Sequence, residues 1–124
     1  MTRVLVCDDA PDMRTLLREA LDADPGLRVV GEAIDGADVL RLAEALQPDV
    51  VLLDIGMPGP EPSDVVAGVP RAAPGAAIVV LSGYGAERLD APAAAAVTAH
   101  LPKTTGLDAV RRTLREAGAR RDRS

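Results

Sequence analysis

Two adjacent carboxylates, Asp8 and Asp9, follow directly on the apolar run VLVC at residues 4–7. A short apolar run of this kind is typical of a buried strand, so both acids are expected where that strand ends. Two like charges in one cleft repel each other and cost free energy unless a cation offsets them. The pair therefore predicts a cation site.

Further polar residues follow three later apolar runs. Asp54 ends the run DVVLLD, Ser82 ends IVVLS, and Lys103 follows the weak fifth run. Ligands of open parallel sheets bind outside the carboxyl ends of the strands, so we expect these side chains to converge on one edge of the domain. Acids without a histidine or second cysteine nearby favour a hard cation with oxygen ligands, and Mg²⁺ is the natural choice.

This set of residues is suited to phosphoryl chemistry. A carboxylate such as Asp54 beside Mg²⁺ can attack a phosphoryl group and form an acyl phosphate. Phosphoryl transfer depends mainly on positioning and on neutralisation of charge, which the metal and Lys103 can supply. The hydroxyl of Ser82 can donate a hydrogen bond to one phosphoryl oxygen.

The elements that must position these residues alternate along the chain. Five short apolar runs, nearly free of polar residues, alternate with five helical patterns, as in strands covered by helices on both faces. This order predicts an α/β fold: a doubly wound, five-stranded parallel sheet with right-handed crossovers. The predicted strands are Val4–Cys7, Val29–Ala33, Val50–Leu53, Ile78–Leu81 and Ala99–Leu101.

The helix boundaries are predicted from prolines and capping residues. Pro11 is suited to a helix start, and the second helix is expected over residues 38–46. Ser63 is the expected N-cap of a short third helix that Pro70 and then Pro74-Gly75 close. Pro92 falls inside the fourth helical pattern, so that helix either begins near Pro92 or is kinked there. Thr105 is the expected cap of the last helix.

Composition limits the class of protein. The 124 residues fit one domain, and the net charge of −5 argues against nucleic-acid binding by its body. No apolar run is long enough for a transmembrane helix, and no signal peptide is expected. The single cysteine, Cys7, is expected to be a buried strand thiol. These features predict a cytoplasmic protein. Arginines crowd the last fourteen positions, as in a helix end leading into a linker.

Four motifs in a fixed order, CDDAPDM, PDVVLLDIGMPG, IVVLSG and LPK, resemble those of the receiver domain of two-component response regulators. The resemblance covers essentially residues 2–118. It implies the flavodoxin-like (βα)5 receiver fold for residues 1–118, with residues 119–124 as a linker or tail. The run VVGEAIDG at residues 29–36 further resembles the branch that carries a LuxR-type helix-turn-helix output domain.

The resemblance also implies roles for the acids and their neighbours. Asp54 would be the phosphoacceptor and, with Asp9, a direct Mg²⁺ ligand. Asp8 would lie alongside, often acting through water, and the backbone carbonyl of Gly56 would be a further ligand. Lys103 would pair with the phosphoryl group.

Three residues are expected to govern the response and its duration. Ser82 would move to meet the phosphoryl group, and His100 stands at the family's switch position, which is usually aromatic. The alternative for His100 is a strand histidine with a satisfied hydrogen bond. Tyr84, two residues after Ser82, is expected to slow hydrolysis by occluding the attacking water; the alternative for Tyr84 is a surface tyrosine in a loop.

The sequence departs from the family pattern near the site. Thr104 follows Lys103 where the family usually has a proline after a cis peptide bond, which is costly before any other residue. The loop GPEPSD at residues 59–64 lacks the usual aspartate-glycine turn. The segment from Ser82 to Lys103 is about one residue short. These changes leave the phosphorylation chemistry intact and put the conformational response in question.

The leading hypothesis is a signalling module rather than an enzyme. Its phosphoryl donor would be a sensor histidine kinase or a small acyl phosphate. Phosphorylation could produce a homodimer, and the protein would contact DNA only through an output domain. One alternative is a degenerate receiver that signals by binding without phosphorylation. Another is a Mg²⁺-dependent aspartyl phosphatase, although the D-x-D arrangement of such enzymes is lacking. A dinucleotide-binding domain would need a glycine-rich loop after the first strand.

Overall fold

A computed structural model of the protein describes residues 1–122. Five strands alternate with five helices, and a 3₁₀ turn at Ala86–Arg88 precedes the fourth helix. The strands form one parallel sheet in the order β2-β1-β3-β4-β5, which confirms the predicted fold class. The strands are β1 (Thr2–Cys7), β2 (Leu27–Ala33), β3 (Val50–Leu53), β4 (Ala77–Ser82) and β5 (Ala99–Pro102). The helices are α1 (Pro11–Asp22), α2 (Gly36–Leu46), α3 (Pro62–Ala72), α4 (Ala91–Ala96) and α5 (Leu107–Asp122).

The sheet separates two hydrophobic cores. Because successive side chains of a strand point to opposite faces, Leu5 and Cys7 of β1 enter one core, and Val4 and Val6 enter the other. Helices α2, α3 and α4 cover the first core, and α1 and α5 cover the second. This two-sided burial explains why the central strands are continuously apolar.

Two helices begin differently from the prediction at their N-termini, and one begins as expected. Pro11 is the first residue of α1, as expected. Helix α2 begins at Gly36 rather than at Asp38, because the side chain of Asp35 caps it by accepting a hydrogen bond from the backbone N–H of Asp38 at 2.8 Å. Ser63 is not the N-cap of α3, since the helix already begins at Pro62. The Ser63 hydroxyl instead accepts a hydrogen bond from the N–H of Asp90 at 2.9 Å.

The boundaries of α3, α4 and α5 agree only in part with the predicted ones. Helix α4 begins at Ala91, with Asp90 as its N-cap, so the interpretation of a start near Pro92 is confirmed. Helix α5 begins at Leu107, and the carbonyl of Gly106 accepts the first helical hydrogen bond, so Thr105 is too early to be the cap. Pro70 lies within α3 and does not end it, whereas the helix ends at Ala72, just before Pro74 and Gly75, as expected.

The carboxyl-terminal part of the chain answers one open question and differs from one expectation. The Lys103–Thr104 peptide bond is trans, because residues 1–122 contain no cis peptide bond. Helix α5 continues past residue 118 to Asp122, so most of the expected tail is helical, and residues 123–124 lie outside the described part. Within residues 1–122, no helix is both long and apolar enough to cross a membrane.

Candidate functional site

Three carboxylates meet where β1 and β3, neighbours in the sheet, end. Asp8 and Asp9 follow β1, and Asp54 follows β3. One carboxylate oxygen from each of the three lies within 4.8 Å of the others. The backbone fixes this geometry, since the N–H of Asp54 donates to the carbonyl of Cys7 at 2.9 Å. The sequence-based expectation that the strand ends would bring these acids together agrees with the structure.

Asp8 is almost fully buried, at 2% exposure, and both of its carboxylate oxygens have a partner. Its Oδ1 accepts a hydrogen bond from the N–H of Ala10 at 2.9 Å, and its Oδ2 is paired with the ammonium of Lys103. Its carbonyl accepts a hydrogen bond from Nη1 of Arg14 at 2.9 Å. A buried carboxylate costs free energy unless it is paired, and these contacts provide the pairing.

Asp54 is held in one orientation by two donors. The hydroxyl of Ser82 and the N–H of Gly56 both donate to Oδ1 of Asp54, each at 2.8 Å. Oδ2 faces the ammonium of Lys103 at 3.3 Å. The side chain remains 11% exposed, so one part of the carboxylate is open to an incoming group.

Lys103 joins the two strand ends by a single positive charge. Its ammonium contacts Asp8 and Asp54, and its backbone N–H donates to the carbonyl of Ser82 at 3.2 Å. Burial by itself lowers the pKa of Lys103, but the hydrogen bond to Asp8 and the charges of Asp54 and Asp8 outweigh it, and the pKa is raised overall. The ammonium is therefore firmly charged at neutral pH.

Tyr84 connects the site to β5 through its backbone. Its N–H donates to Oγ of Ser82 at 3.2 Å, and its carbonyl lies 3.1 Å from Nε2 of His100. A carbonyl can only accept, so Nε2 of His100 is the donor in this hydrogen bond. His100 thus has a satisfied hydrogen bond, and it lies outside the cluster of Asp8, Asp9 and Asp54.

The aromatic ring of Tyr84 lies against Gly56. A Cβ on Gly56 would fall 2.7 Å from Cε2 of Tyr84 and 3.3 Å from Oδ1 of Asp54. The guanidinium of Arg88 stacks on the same ring, 4.0 Å from its centroid. Tyr84 is therefore more than a free surface residue, although its side chain is 45% exposed.

Two contacts of the site escaped the sequence analysis. Arg14, one turn into α1, links the carbonyl of Asp8 to the carboxylate of Glu32 on β2. Arg88 reaches Tyr84 across a 3₁₀ turn. Neither Arg14 nor Arg88 belongs to a recognisable motif. The spacing of Arg88, four residues after the single tyrosine, is a weak signal for its contact with Tyr84.

The donor set is suitable for Mg²⁺. Three carboxylates within 4.8 Å of one another supply hard oxygen ligands, and their mutual repulsion is only partly offset by Lys103. Cys7 is buried on the opposite side of the strand end and offers no competing soft ligand, because burial, aided by the nearby charges of Asp38 and Asp8, raises the pKa of its thiol.

Comparison with known proteins places this arrangement in a family. The response regulator receiver domain matches residues 4–115. The chain is 42% identical over 85 residues to a protein-glutamate methylesterase/protein-glutamine glutaminase of Myxococcus xanthus, covering 68% of this chain and 24% of that protein. It is 41% identical over 80 residues to the nitrate/nitrite response regulator protein NarP of Escherichia coli, covering 64% of this chain and 37% of that protein.

A solved structure supports the same placement. The response regulator domain of Thermotoga maritima CheB superposes with a TM-score of 0.82 at 26% identity, covering 96% of this chain and 97% of that chain. The chain therefore spans less than half the length of the two curated relatives and nearly all of the solved domain.

Proposed function

The chain belongs to the response regulator receiver domain family, and from that premise we propose that Asp54 accepts a phosphoryl group. The donor is the phosphohistidine of a sensor histidine kinase or a small acyl phosphate. The observation that carries the proposal is the surroundings of Asp54: two further carboxylates, the hydroxyl of Ser82 and the ammonium of Lys103 lie around one partly exposed carboxylate.

The transfer is a simple displacement. An oxygen of Asp54 forms a bond to phosphorus while the bond from phosphorus to the donor's imidazole nitrogen breaks, and the electron pair leaves with the nitrogen. The product is an acyl phosphate on Asp54. Lys103 offsets the charge of the transferred group, and Ser82 is positioned to donate a hydrogen bond to it.

The residues that would hold Mg²⁺ are Asp8, Asp9, Asp54 and the backbone carbonyl of Gly56. Bound Mg²⁺ supplies the positive charge that lets a phosphoryl group approach three carboxylates. The burial of Asp8 and its pairing with Lys103 support a role for it beside the ion, and the exposure of Asp9 suits it as a direct ligand.

Ser82 and His100 form the proposed switch, and the backbone of Tyr84 is the connection between them. In this structure the Ser82 hydroxyl accepts from the N–H of Tyr84 while His100 donates to the Tyr84 carbonyl. Movement of Ser82 toward a phosphoryl group withdraws the acceptor from Tyr84, which shifts the carbonyl that holds His100. The surface formed by α4 and β5 then responds to phosphorylation.

The phosphoryl group is lost by hydrolysis of the acyl phosphate, and Tyr84 is proposed to slow this step. Water must reach phosphorus for the bond to Asp54 to break. The ring of Tyr84 lies beside Asp54 and restricts that approach. The domain is in this sense a timed phosphoacceptor rather than an enzyme acting on other substrates.

Two kinds of output domain are consistent with the relatives. The run VVGEAIDG and the likeness to NarP support a cytoplasmic transcription regulator with a LuxR-type helix-turn-helix, which would contact DNA and could dimerise on phosphorylation. The likeness to a methylesterase supports an enzymatic output. We propose the first, because the run VVGEAIDG resembles that branch.

The proposal is tested by intact mass after incubation with acetyl phosphate and Mg²⁺. We expect the addition of one phosphoryl group to the wild-type chain and none to Asp54→Asn or in the presence of a chelator. A folded wild-type chain that gains no mass would contradict phosphorylation and favour a receiver that signals by binding alone.

A further inference from the structure

We propose that Arg88 holds the ring of Tyr84 beside Asp54, in the space that Gly56 leaves free. In this arrangement, the Tyr84 clamp, the ring acts as a lid that sets the lifetime of the acyl phosphate. The inference rests on the proposed function and deepens it, because it names two positioning residues for one step. It is built on contacts between two loops, the one that follows β3 and the one that follows β4.

Gly56 leaves the space that the ring occupies. The position of a Cβ on residue 56 lies 2.7 Å from Cε2 and 3.0 Å from Cδ2 of Tyr84, closer than real Cβ atoms approach. Its backbone does not require glycine, since among the described glycines only Gly59 has a positive φ. The same Cβ position lies 3.3 Å from Oδ1 of Asp54, so ring and carboxylate border one small space. A side chain at residue 56 would displace the ring from the phosphoacceptor.

Arg88 holds the ring by a cation–π contact. Its Cζ lies 4.0 Å from the ring centroid, within the range of an energetically significant contact. Arg88 is exposed. Among the described residues it has no ion-pair partner that would compete with this stacking.

The turn that carries Arg88 is itself anchored. Leu89, the next residue, is buried in the core beneath α3 and α4 at 8% exposure. The N–H of Asp90 donates to the hydroxyl of Ser63 at 2.9 Å, which ties the turn to the start of α3. Because the chain is fixed at both positions, the backbone of Arg88 is held next to Tyr84.

The step that the lid controls is attack of water on phosphorus. The water oxygen forms a bond to phosphorus, the bond to the Asp54 oxygen breaks, and its electron pair returns to the carboxylate. Inorganic phosphate leaves with the protons of the water. A ring held beside Asp54 excludes water from part of this approach, so loosening the ring speeds the step.

Tyr84 is also the fluorescent reporter for the experiment, because the chain has one tyrosine and no phenylalanine or tryptophan. Quenching of its fluorescence by acrylamide, a neutral quencher, measures how accessible the ring is in the unphosphorylated protein. Loss of the phosphoryl mass after removal of acetyl phosphate measures the rate of hydrolysis. The variants are Arg88→Ala and Arg88→Lys, with Arg71→Ala, an exposed arginine in the last turn of α3, as the matched control.

We expect Arg88→Ala to raise the quenching constant and to speed hydrolysis about twofold to fivefold, the range that a cation–π contact at an exposed site implies. Arg88→Lys keeps a cation over the ring and should restore most of the wild-type behaviour. In a Tyr84→Ala background, Arg88→Ala should have no further effect on the rate, because Arg88 acts through the ring.

Two results would overturn the clamp. One is a wild-type chain that is phosphorylated while Arg88→Ala matches Arg71→Ala in both quenching and hydrolysis. The other is an equal acceleration by Arg88→Ala with and without Tyr84, which would make Arg88 act directly. If the wild-type chain takes up no phosphoryl group, the proposed function fails, and the quenching comparison still decides whether Arg88 holds the ring.

Discussion

At the scale of single residues, Lys103 decides the charge balance of the site. Its one ammonium contacts Asp8, which is buried, and Asp54, which is partly open. Buried charges are stable only when they are paired, so Lys103 both permits the burial of Asp8 and prepares Asp54 to receive an anionic group. The type and position of this lysine were predictable because it follows the last strand. Its pairing with Asp8 was not, since that contact depends on how far β5 extends past β1.

The first prediction concerns this pairing. Lys103→Met keeps the length of the side chain and leaves Asp8 without its ammonium partner, which should lower the free energy of unfolding at neutral pH by about 1–3 kcal/mol. The loss is measured by urea denaturation against the wild type.

The pairing of Lys103 with Asp8 also makes the stability of the protein depend on pH. The pKa of Lys103 is raised above the ordinary value of 10.5 in the folded state, so its contribution is complete below pH 10.5 and is lost as pH rises through the folded value. The stability difference between wild type and Lys103→Met should therefore narrow above pH 10.5. A difference that stays constant or grows there would contradict the pairing.

At the scale of elements, the strands were predictable and the caps were only partly so. The five strands lie where continuous apolar runs predict them, and β3 agrees at both ends. Ser63 and Thr105 were plausible caps by residue type, yet the chain uses Asp35 and Asp90 as side-chain caps and starts α3 with Pro62. Local sequence cannot decide among neighbouring cap candidates, because packing of the helix on the sheet fixes where its first turn lies.

The second prediction concerns the cap of α2. Asp35→Ala removes the hydrogen bond to the N–H of Asp38 and should lower the free energy of unfolding by about 0.5–2 kcal/mol. The matched control is Asp64→Ala, an exposed acid in the first turn of α3. It loses only an interaction with the helix dipole, roughly 0.3–1 kcal/mol. Equal losses in both variants, measured by thermal or urea unfolding, would show that the cap bond contributes nothing.

At the scale of the whole molecule, the site is a consequence of strand order. Strands β1 and β3 are neighbours, while α1 and α3, which follow them, cover opposite faces of the sheet. The chains leaving these two strands therefore diverge and open the cleft that Asp8, Asp9 and Asp54 line. Sequence predicted the residues at this edge, because alternation of strands and helices implies parallel strands. The contacts of Arg14 and Arg88 depend on how separate loops fold over the edge, which no local pattern encodes.

The central claim is that Asp54 carries a phosphoryl group as an acyl phosphate, and its most direct test is chemical trapping. Borohydride reduces an aspartyl phosphate to homoserine, so the protein is treated with acetyl phosphate and Mg²⁺, reduced, digested and mapped by peptide mass. We expect homoserine at residue 54, and none when Mg²⁺ is chelated. Homoserine at Asp8 or Asp9, or a phosphoryl group that resists borohydride on another side chain, would contradict the account.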